Sequence, residues 1–152
     1  MQYILAIDPG LATGVGLMDV SDPGNPIKLW TKEVDIIEFY NLVPGIIEEY
    51  ADQDLMVVCE NFIITVATAK KTQSPWSLNL IGIVQYFCYM NNVPVYLPKP
   101  AEREFTSNEM LRHFGLWHVG GAGHANQAMR HGFAYLARGN KALAKRVLNL
   151  VE

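Results

Sequence analysis

The sequence has little cysteine, few charged residues and no long apolar run, and each shortage excludes a class of protein. Its 152 residues include two cysteines, Cys59 and Cys88, without a CxxC pair, so neither a disulfide framework nor a zinc site is expected. The longest apolar stretch, residues 78–90, is too short to span a membrane, and no signal-peptide core precedes Asp8. Because 50% of the residues are hydrophobic, we expect residues 1–152 to fold as one soluble domain, working in the cytoplasm.

Charge of both signs is scarce, at 18% of the residues, but it is unevenly distributed along the chain. Residues 1–60 contain two basic and eleven acidic residues, whereas residues 61–152 contain ten basic and four acidic ones. The formal net charge of −3 therefore averages an acidic part and a basic part. Such asymmetry is typical of proteins that bind nucleic acid or another polyanion.

Apolar patterning predicts three strands joined by short turns, followed by alternating helices and strands. The first three strands are predicted at 3–7, 13–20 and 27–34 and form an antiparallel meander. Two later strands are predicted at 55–59 and 93–97, and helices at 36–50, 75–90, 124–138 and 141–150, with a short helix that follows residues 106–108 and ends near 113–115. Pro44 predicts a kink or a break in the first helix. The order of elements predicts an α/β fold: a mixed five-stranded sheet, three antiparallel strands plus parallel ones, flanked by helices.

Two acidic residues, Asp8 and Glu60, each follow a strongly apolar strand. In open α/β sheets, ligands bind at the carboxyl ends of the strands. If these two strands are neighbours, the helical crossover between them makes them parallel and brings the two carboxylates side by side. Such a pair repels unless a cation lies between its members, and oxygen ligands favour Mg²⁺ or Mn²⁺. The alternative is that Asp8 only opens an Asp-Pro-Gly turn and Glu60 only ends a strand.

A third group of polar residues is aligned on the predicted helix at 124–138. At about 100° per residue, His124, Gln127 and His131 fall within an arc of about 60°. They follow the glycine-rich segment 120–123, which suits the wall of a site. A solvated helix face is the alternative.

These motifs follow one another in a characteristic order along the chain. They are Ile7-Asp8-Pro9-Gly10 with Gly14 and Gly16, then Glu60 after an apolar strand, then His124-x-x-Gln127-Ala128, and finally the Arg130-His131 pair. The set resembles the RuvC-type Holliday junction resolvases of the RNase H-like superfamily, and their phage-encoded branch in particular. The resemblance implies an RNase H-like fold and a homodimeric nuclease that cuts four-way or other branched DNA. It also implies two Mg²⁺ or Mn²⁺ ions that clamp the scissile phosphate.

The resemblance implies Asp8, Glu60, His124 and Gln127 as catalytic residues and metal ligands. Gln127, however, stands where the family has an aspartate, and a neutral amide contributes no negative charge to a metal. Three explanations remain open: an engineered inactivating change, a natural variant of weak activity, and a noncatalytic protein that binds junctions without cutting them. Half of an actin-like or sugar-kinase-like ATPase is a further alternative. Such enzymes bind nucleotide between two domains, whereas this length provides one.

The basic part of the chain supplies the predicted DNA contacts. Phe62, close to Glu60, is predicted to stack on an unpaired base, although a position in the core is the alternative. The other predicted contacts are Lys70, Lys71, Lys99, Arg103, Arg130 and His131. The helix at 75–90 carries more apolar surface than one sheet face needs. Part of it is therefore predicted to form the contact of a homodimer, with a fully buried core helix as the alternative.

Overall fold

Five strands form one mixed sheet in the computed structural model, which describes residues 1–69 and 76–151. The strands are β1 (Tyr3–Asp8), β2 (Thr13–Asp19), β3 (Ile27–Val34), β4 (Leu55–Cys59) and β5 (Val95–Tyr96). Their spatial order is β3-β2-β1-β4-β5. The first three strands are antiparallel, while β4 runs parallel to β1 and β5 runs parallel to β4. The predicted fold class is confirmed, although β5 is shorter than expected.

Helices connect and cover the strands. They are α1 (Ile36–Tyr50), α2 (Val66–Ala69), α3 (Trp76–Met90), α4 (Asn108–His113), α5 (His124–Arg138) and α6 (Lys141–Val151), with a 3₁₀ helix at Pro100–Phe105. The sequence did not predict α2 or the 3₁₀ helix. The predicted break at Pro44 is wrong, because α1 continues through it. This helix is capped by the Asp35 side chain, and the burial of Phe39, Val43 and Ile47 offsets the hydrogen bond that a proline removes.

The sheet has a hydrophobic core on each face, because neighbouring residues of a strand point to opposite sides. Leu5 and Ile7 of β1 pack with α1 and α3. Ile4 and Ala6 pack with α5 on the other face. This alternation places the side chain of Asp8 on the face that α5 covers.

The pairing of β2 with β3 is irregular at one place. The register shifts between Leu17 and Met18, which marks a β-bulge in the half of the hairpin nearer its turn. Both cysteines are buried free thiols, as expected from their apolar surroundings. Within residues 1–69 and 76–151, no helix is both long and apolar enough to cross a membrane.

Candidate active site

The four residues predicted to be catalytic lie at one edge of the sheet. Asp8 is the last residue of β1, and Glu60 directly follows β4. Ile7 is paired with Cys59, and the Glu60 N–H donates to the Ile7 carbonyl oxygen at 2.9 Å. The two acids therefore end neighbouring parallel strands, as the sequence predicts. His124 and Gln127 come from the first turn of α5, which packs over the same face.

Asp8 is buried and faces both a negative charge and an imidazole. Its Oδ2 atom lies 3.3 Å from Nδ1 of His124. Burial and the negative charge of Glu60 raise the pKa of Asp8 to about 6, although the bond to His124 opposes the increase. The pairing of Ile7 with Cys59 brings the two carboxylates close enough for this repulsion.

Glu60 has two partners with donor groups. Nε2 of His131 lies 2.6 Å from its Oε2 atom, and Nη1 of Arg103 lies 3.2 Å from the same oxygen. The same Arg103 nitrogen donates to Oε1 of Gln127 at 3.2 Å. Arg103, from the 3₁₀ helix, thus links Glu60 to Gln127, the residue that stands where an aspartate was expected.

His131 has a different position from the one predicted. Its side chain is fully buried, and its Nε2 atom is engaged by Glu60. A DNA contact requires an exposed group, so its role is corrected to that of a partner of Glu60. The helical spacing correctly placed His131 on the same side as His124 and Gln127. The spacing does not show that this side of the helix becomes buried in the core at His131.

The other predicted DNA contacts have varied surroundings. Phe62 is half-buried and packs against the core on the α1 and α3 face. Lys99 is exposed at the start of the 3₁₀ helix. Arg130 is held by the carbonyl oxygen of Thr106, 2.5 Å from its Nε atom. Lys70 and Lys71 lie outside the described residues.

Sequence reasoning missed one residue that contacts the site elements, Glu33 of β3. Its Oε2 atom accepts a hydrogen bond from the Ala122 N–H at 2.8 Å, and its Oε1 atom accepts one from the Ala125 N–H at 3.3 Å. These amides flank His124. The alternating pattern of β3 predicted a half-exposed strand, but it carries no signal for a contact 92 residues further along the chain.

The donor atoms of the site suit a divalent cation in type. Two neighbouring carboxylates are the ligands that Mg²⁺ and Mn²⁺ prefer, and a cation between them would relieve the repulsion by Glu60 that, after burial, raises the pKa of Asp8. Across residues 1–69 and 76–151, however, no three His, Cys, Asp or Glu side chains form a metal-binding group. Arg103 is the cation that faces Glu60 here, so a metal held by Glu60 would compete with it.

Known structures share this architecture. The chain is similar to the structure of Thermus thermophilus RuvC, with a TM-score of 0.65 and 17% identity over 90% of this chain and 95% of that one. It is also similar to T. thermophilus RuvC in complex with a Holliday junction substrate, with a TM-score of 0.63 and 19% identity over 92% and 97% of the two chains. No protein-family model and no curated protein matches the sequence. The similarity confirms a RuvC-like, RNase H-like fold.

Proposed function

We propose that residues 1–152 form a single nuclease domain that cuts four-way or other branched DNA and depends on Mg²⁺ or Mn²⁺. One observation carries the proposal: Asp8 and Glu60 end adjacent parallel strands, with His124 bonded to Asp8. The structural neighbour bound to a Holliday junction substrate supports the choice of DNA. The resemblance of the sequence motifs to the same family is independent of that comparison.

Asp8 and Glu60 would hold one or two divalent ions, and His124 and the Gln127 amide oxygen would complete the ligand set. Bound metal supplies positive charge that activates water and stabilises the leaving oxygen of the phosphodiester. Asp8 must be ionised for this role, and with its pKa raised to about 6 it is mostly ionised only above that pH. The ring of His124 is 36% exposed, so it is accessible from the solvent side, from which DNA would approach.

Arg103 is proposed to meet a DNA phosphate. Its side chain is 28% exposed, and its guanidinium group lies beside both Glu60 and Gln127. A phosphate accepts from a guanidinium group more strongly than a neutral amide does. An arriving phosphate would therefore draw Arg103 away from Gln127, and it would compete with the Glu60 carboxylate for the same guanidinium group. Lys70, Lys71, Lys99 and Phe62 are proposed as further DNA contacts.

The outer face of α3 supports a homodimer. The apolar residues Leu80, Ile81, Val84 and Cys88 are buried in the core, so they do not form the contact. Tyr86, Tyr89 and Met90 are exposed by 58%, 80% and 58%. Two copies joined through this face would bring two cutting sites to a two-fold symmetric junction. A cytoplasmic location fits the two free thiols, and the Arg130-His131 pair favours a phage-encoded relative.

Gln127 keeps a second function open: a noncatalytic protein that binds junctions. Its amide leaves the site without the third acid that the family uses, and its oxygen is occupied by Arg103. The two functions separate in one experiment. A labelled four-way junction is incubated with the protein and Mg²⁺ or Mn²⁺, with Asp8→Asn as the matched variant. Metal-dependent cutting that Asp8→Asn abolishes supports the nuclease, whereas tight binding without cutting by either protein supports the noncatalytic function.

A further inference from the structure

The helix that carries His124 and Gln127 begins without a cap of its own. The residue before α5 is Gly123, with φ of +95°, and the first turn has no acidic side chain. The first N–H groups of a helix have no partner within it, and a side chain at the cap usually supplies one. A partner for these groups is therefore water or another part of the chain.

Glu33 supplies that partner from the far strand of the meander. Its two carboxylate oxygens accept from the N–H groups of Ala122 and Ala125, which lie on either side of the helix start. Burial alone would raise the pKa of Glu33, but the N–H groups of Ala122, Ala125, His124 and Gly123 lower it below its usual value. The ionised carboxylate is thus the form that this loop binds, in agreement with the positive end of a helix dipole.

A cross-strand row connects Glu33 with Asp8. Asp8 of β1 is paired with Gly14 of β2, and Gly14 is paired with Glu33 of β3. Residues directly opposite each other on neighbouring strands point to the same face of a sheet. All three positions therefore face the start of α5.

Gly14, which lies between Asp8 and Glu33 in this row, leaves room for the start of α5. A Cβ atom on Gly14 would lie 1.9 Å from the carbonyl oxygen of His124. Gly121 does the same for the carboxylate, since its own Cβ would lie 2.5 Å from Oε2 of Glu33 and its φ of +70° disfavours a side chain. The row therefore seats α5 at three points: a side-chain bond to Asp8, a backbone contact at Gly14 and the bonds to Glu33.

We propose that Glu33 is a positioning residue that holds the start of α5, so that the His124 ring stays within reach of Asp8. This inference rests on the proposed nuclease function for its activity readout only. Without Glu33, the loop at 120–123 loses the hydrogen bonds to this carboxylate. The His124 ring then becomes free to move away from Asp8.

The test compares Glu33→Ala and Glu33→Gln with Glu48→Gln, which removes the same charge from the exposed side of α1 on the opposite face of the sheet. The side-chain ¹H–¹⁵N signals of His124 are recorded by NMR, with His113 as the internal reference, together with amide exchange at Ala122 and Ala125. We expect Glu33→Ala to move the His124 signals and to accelerate exchange at both amides about tenfold, the scale of a lost cap. Glu33→Gln, which keeps an acceptor, should show a smaller change, and Glu48→Gln none.

Activity provides the second readout. We expect Glu33→Ala to lower kcat for junction cleavage by about tenfold or more, with the junction Kd within about twofold of the unmodified protein. Unchanged His124 signals in Glu33→Ala would overturn the inference even if the protein cuts DNA. If the unmodified protein does not cut, the nuclease proposal fails, while the NMR result still decides the role of Glu33. If Glu33→Ala does not fold, the same comparison is made with Glu33→Gln, and signals identical to those of Glu48→Gln refute the inference.

Discussion

Nε2 of His131, whose side chain is fully buried, lies 2.6 Å from Oε2 of Glu60. The other ring nitrogen of His131, Nδ1, has no hydrogen-bond partner in the part of the chain that the structure describes. The hydrogen bonding of this imidazole is therefore directed to Glu60 alone. A buried group that fixes a carboxylate in this way sets the orientation in which the carboxylate meets a ligand.

Replacing His131 should weaken both the fold and the site. In His131→Leu, the half-buried Glu60 carboxylate loses a hydrogen bond, which costs about 1.5–3 kcal/mol of unfolding free energy. Cleavage should fall about 10–100-fold, since Glu60 is no longer oriented. Urea unfolding and junction cleavage measure the two effects. His131→Gln keeps an N–H donor and should recover part of each, and His113→Gln on the exposed side of α4 serves as the control. A His131→Leu protein of unchanged stability and activity would contradict the role assigned to this bond.

Asp8→Asn should abolish cleavage and yet stabilise the protein in the absence of divalent ions. The pKa of Asp8 is raised from 3.8 to about 6, so the folded state binds its proton more tightly than the unfolded state does. The folded state therefore loses stability as the pH rises from about 4 to about 6, and a neutral amide avoids this loss. At pH 7.5 the gain is about 1–3 kcal/mol, less the lost bond to His124.

Urea unfolding in EDTA at pH 4 and pH 7.5 tests whether Asp8→Asn is more stable than the unmodified protein. The advantage of Asp8→Asn should be larger at pH 7.5 than at pH 4. Equal differences at the two pH values would show that Asp8 has an ordinary pKa. Cleavage by the unmodified protein should rise with pH through about 6, unless bound metal has already lowered the pKa of Asp8.

Gln127→Asp should increase cleavage by about tenfold or more, because an added carboxylate strengthens the binding of a divalent ion. Titration with Mn²⁺ should show half-maximal activity at a lower metal concentration. Gln127→Asn, which remains neutral, is the matched control. If Gln127→Asp binds the junction but does not cut it, the noncatalytic function is favoured.

Gly14→Ala should disturb the site more than an ordinary glycine substitution. Its Cβ would overlap the carbonyl oxygen of His124, and such overpacking costs about 1–3 kcal/mol. Gly82→Ala in α3 is the control, because its Cβ has nothing within 4 Å and alanine favours a helix by roughly 0.5–1 kcal/mol. We expect thermal unfolding to shift downward for the first variant and upward for the second. A Gly14→Ala protein as stable as the Gly82→Ala protein would show that β2 and α5 lie further apart.

Junction binding should weaken steeply with salt. Each basic residue that neutralises one phosphate contributes about 0.9 to the slope of log K against log salt. Lys99→Gln should therefore reduce the slope by about that amount, since Lys99 is exposed at the start of the 3₁₀ helix that carries Arg103. Arg130→Gln should change the slope less than Lys99→Gln does and should lower the urea midpoint of unfolding, because this side chain is engaged by the Thr106 carbonyl oxygen. Fluorescence anisotropy over a range of salt concentrations measures both slopes, and a binding constant independent of salt would contradict a DNA function.

The sequence was sufficient for the fold and for the two acids, because their positions follow from short-range patterns and one topological rule. Apolar runs that end at Asp8 and Glu60, joined by a helical crossover, leave little choice about where the carboxylates meet. The sequence did not predict the contacts of Arg103 with Glu60 and Gln127. They depend on how the 3₁₀ helix packs against α5, and Arg103 and Gln127 are 24 residues apart. The cap that Glu33 provides depends on which strand lies beside the start of that helix, which spacing along the chain does not encode.

Pro44 and His131 illustrate a second limit. A proline predicts a break from local chemistry alone, whereas burial of the surrounding apolar residues decides the outcome in α1. Helical spacing assigns His131 to one face of α5. The burial of that face increases along the helix, from the partly exposed His124 and Gln127 to the buried His131.

The bulge between Leu17 and Met18 separates the β2–β3 turn from the end of the hairpin that holds Gly14 and Glu33. A sheet register is propagated by regular pairing, and an irregular pair interrupts it. We therefore expect insertions or deletions near residues 20–26 to leave the row that seats α5 aligned, with the loss of the bonds from Arg146 to Gly24 and Asn25. The hairpin turn is thus the place where we expect this protein to accommodate a change of length, or a fluorescent label, without a change in the site residues.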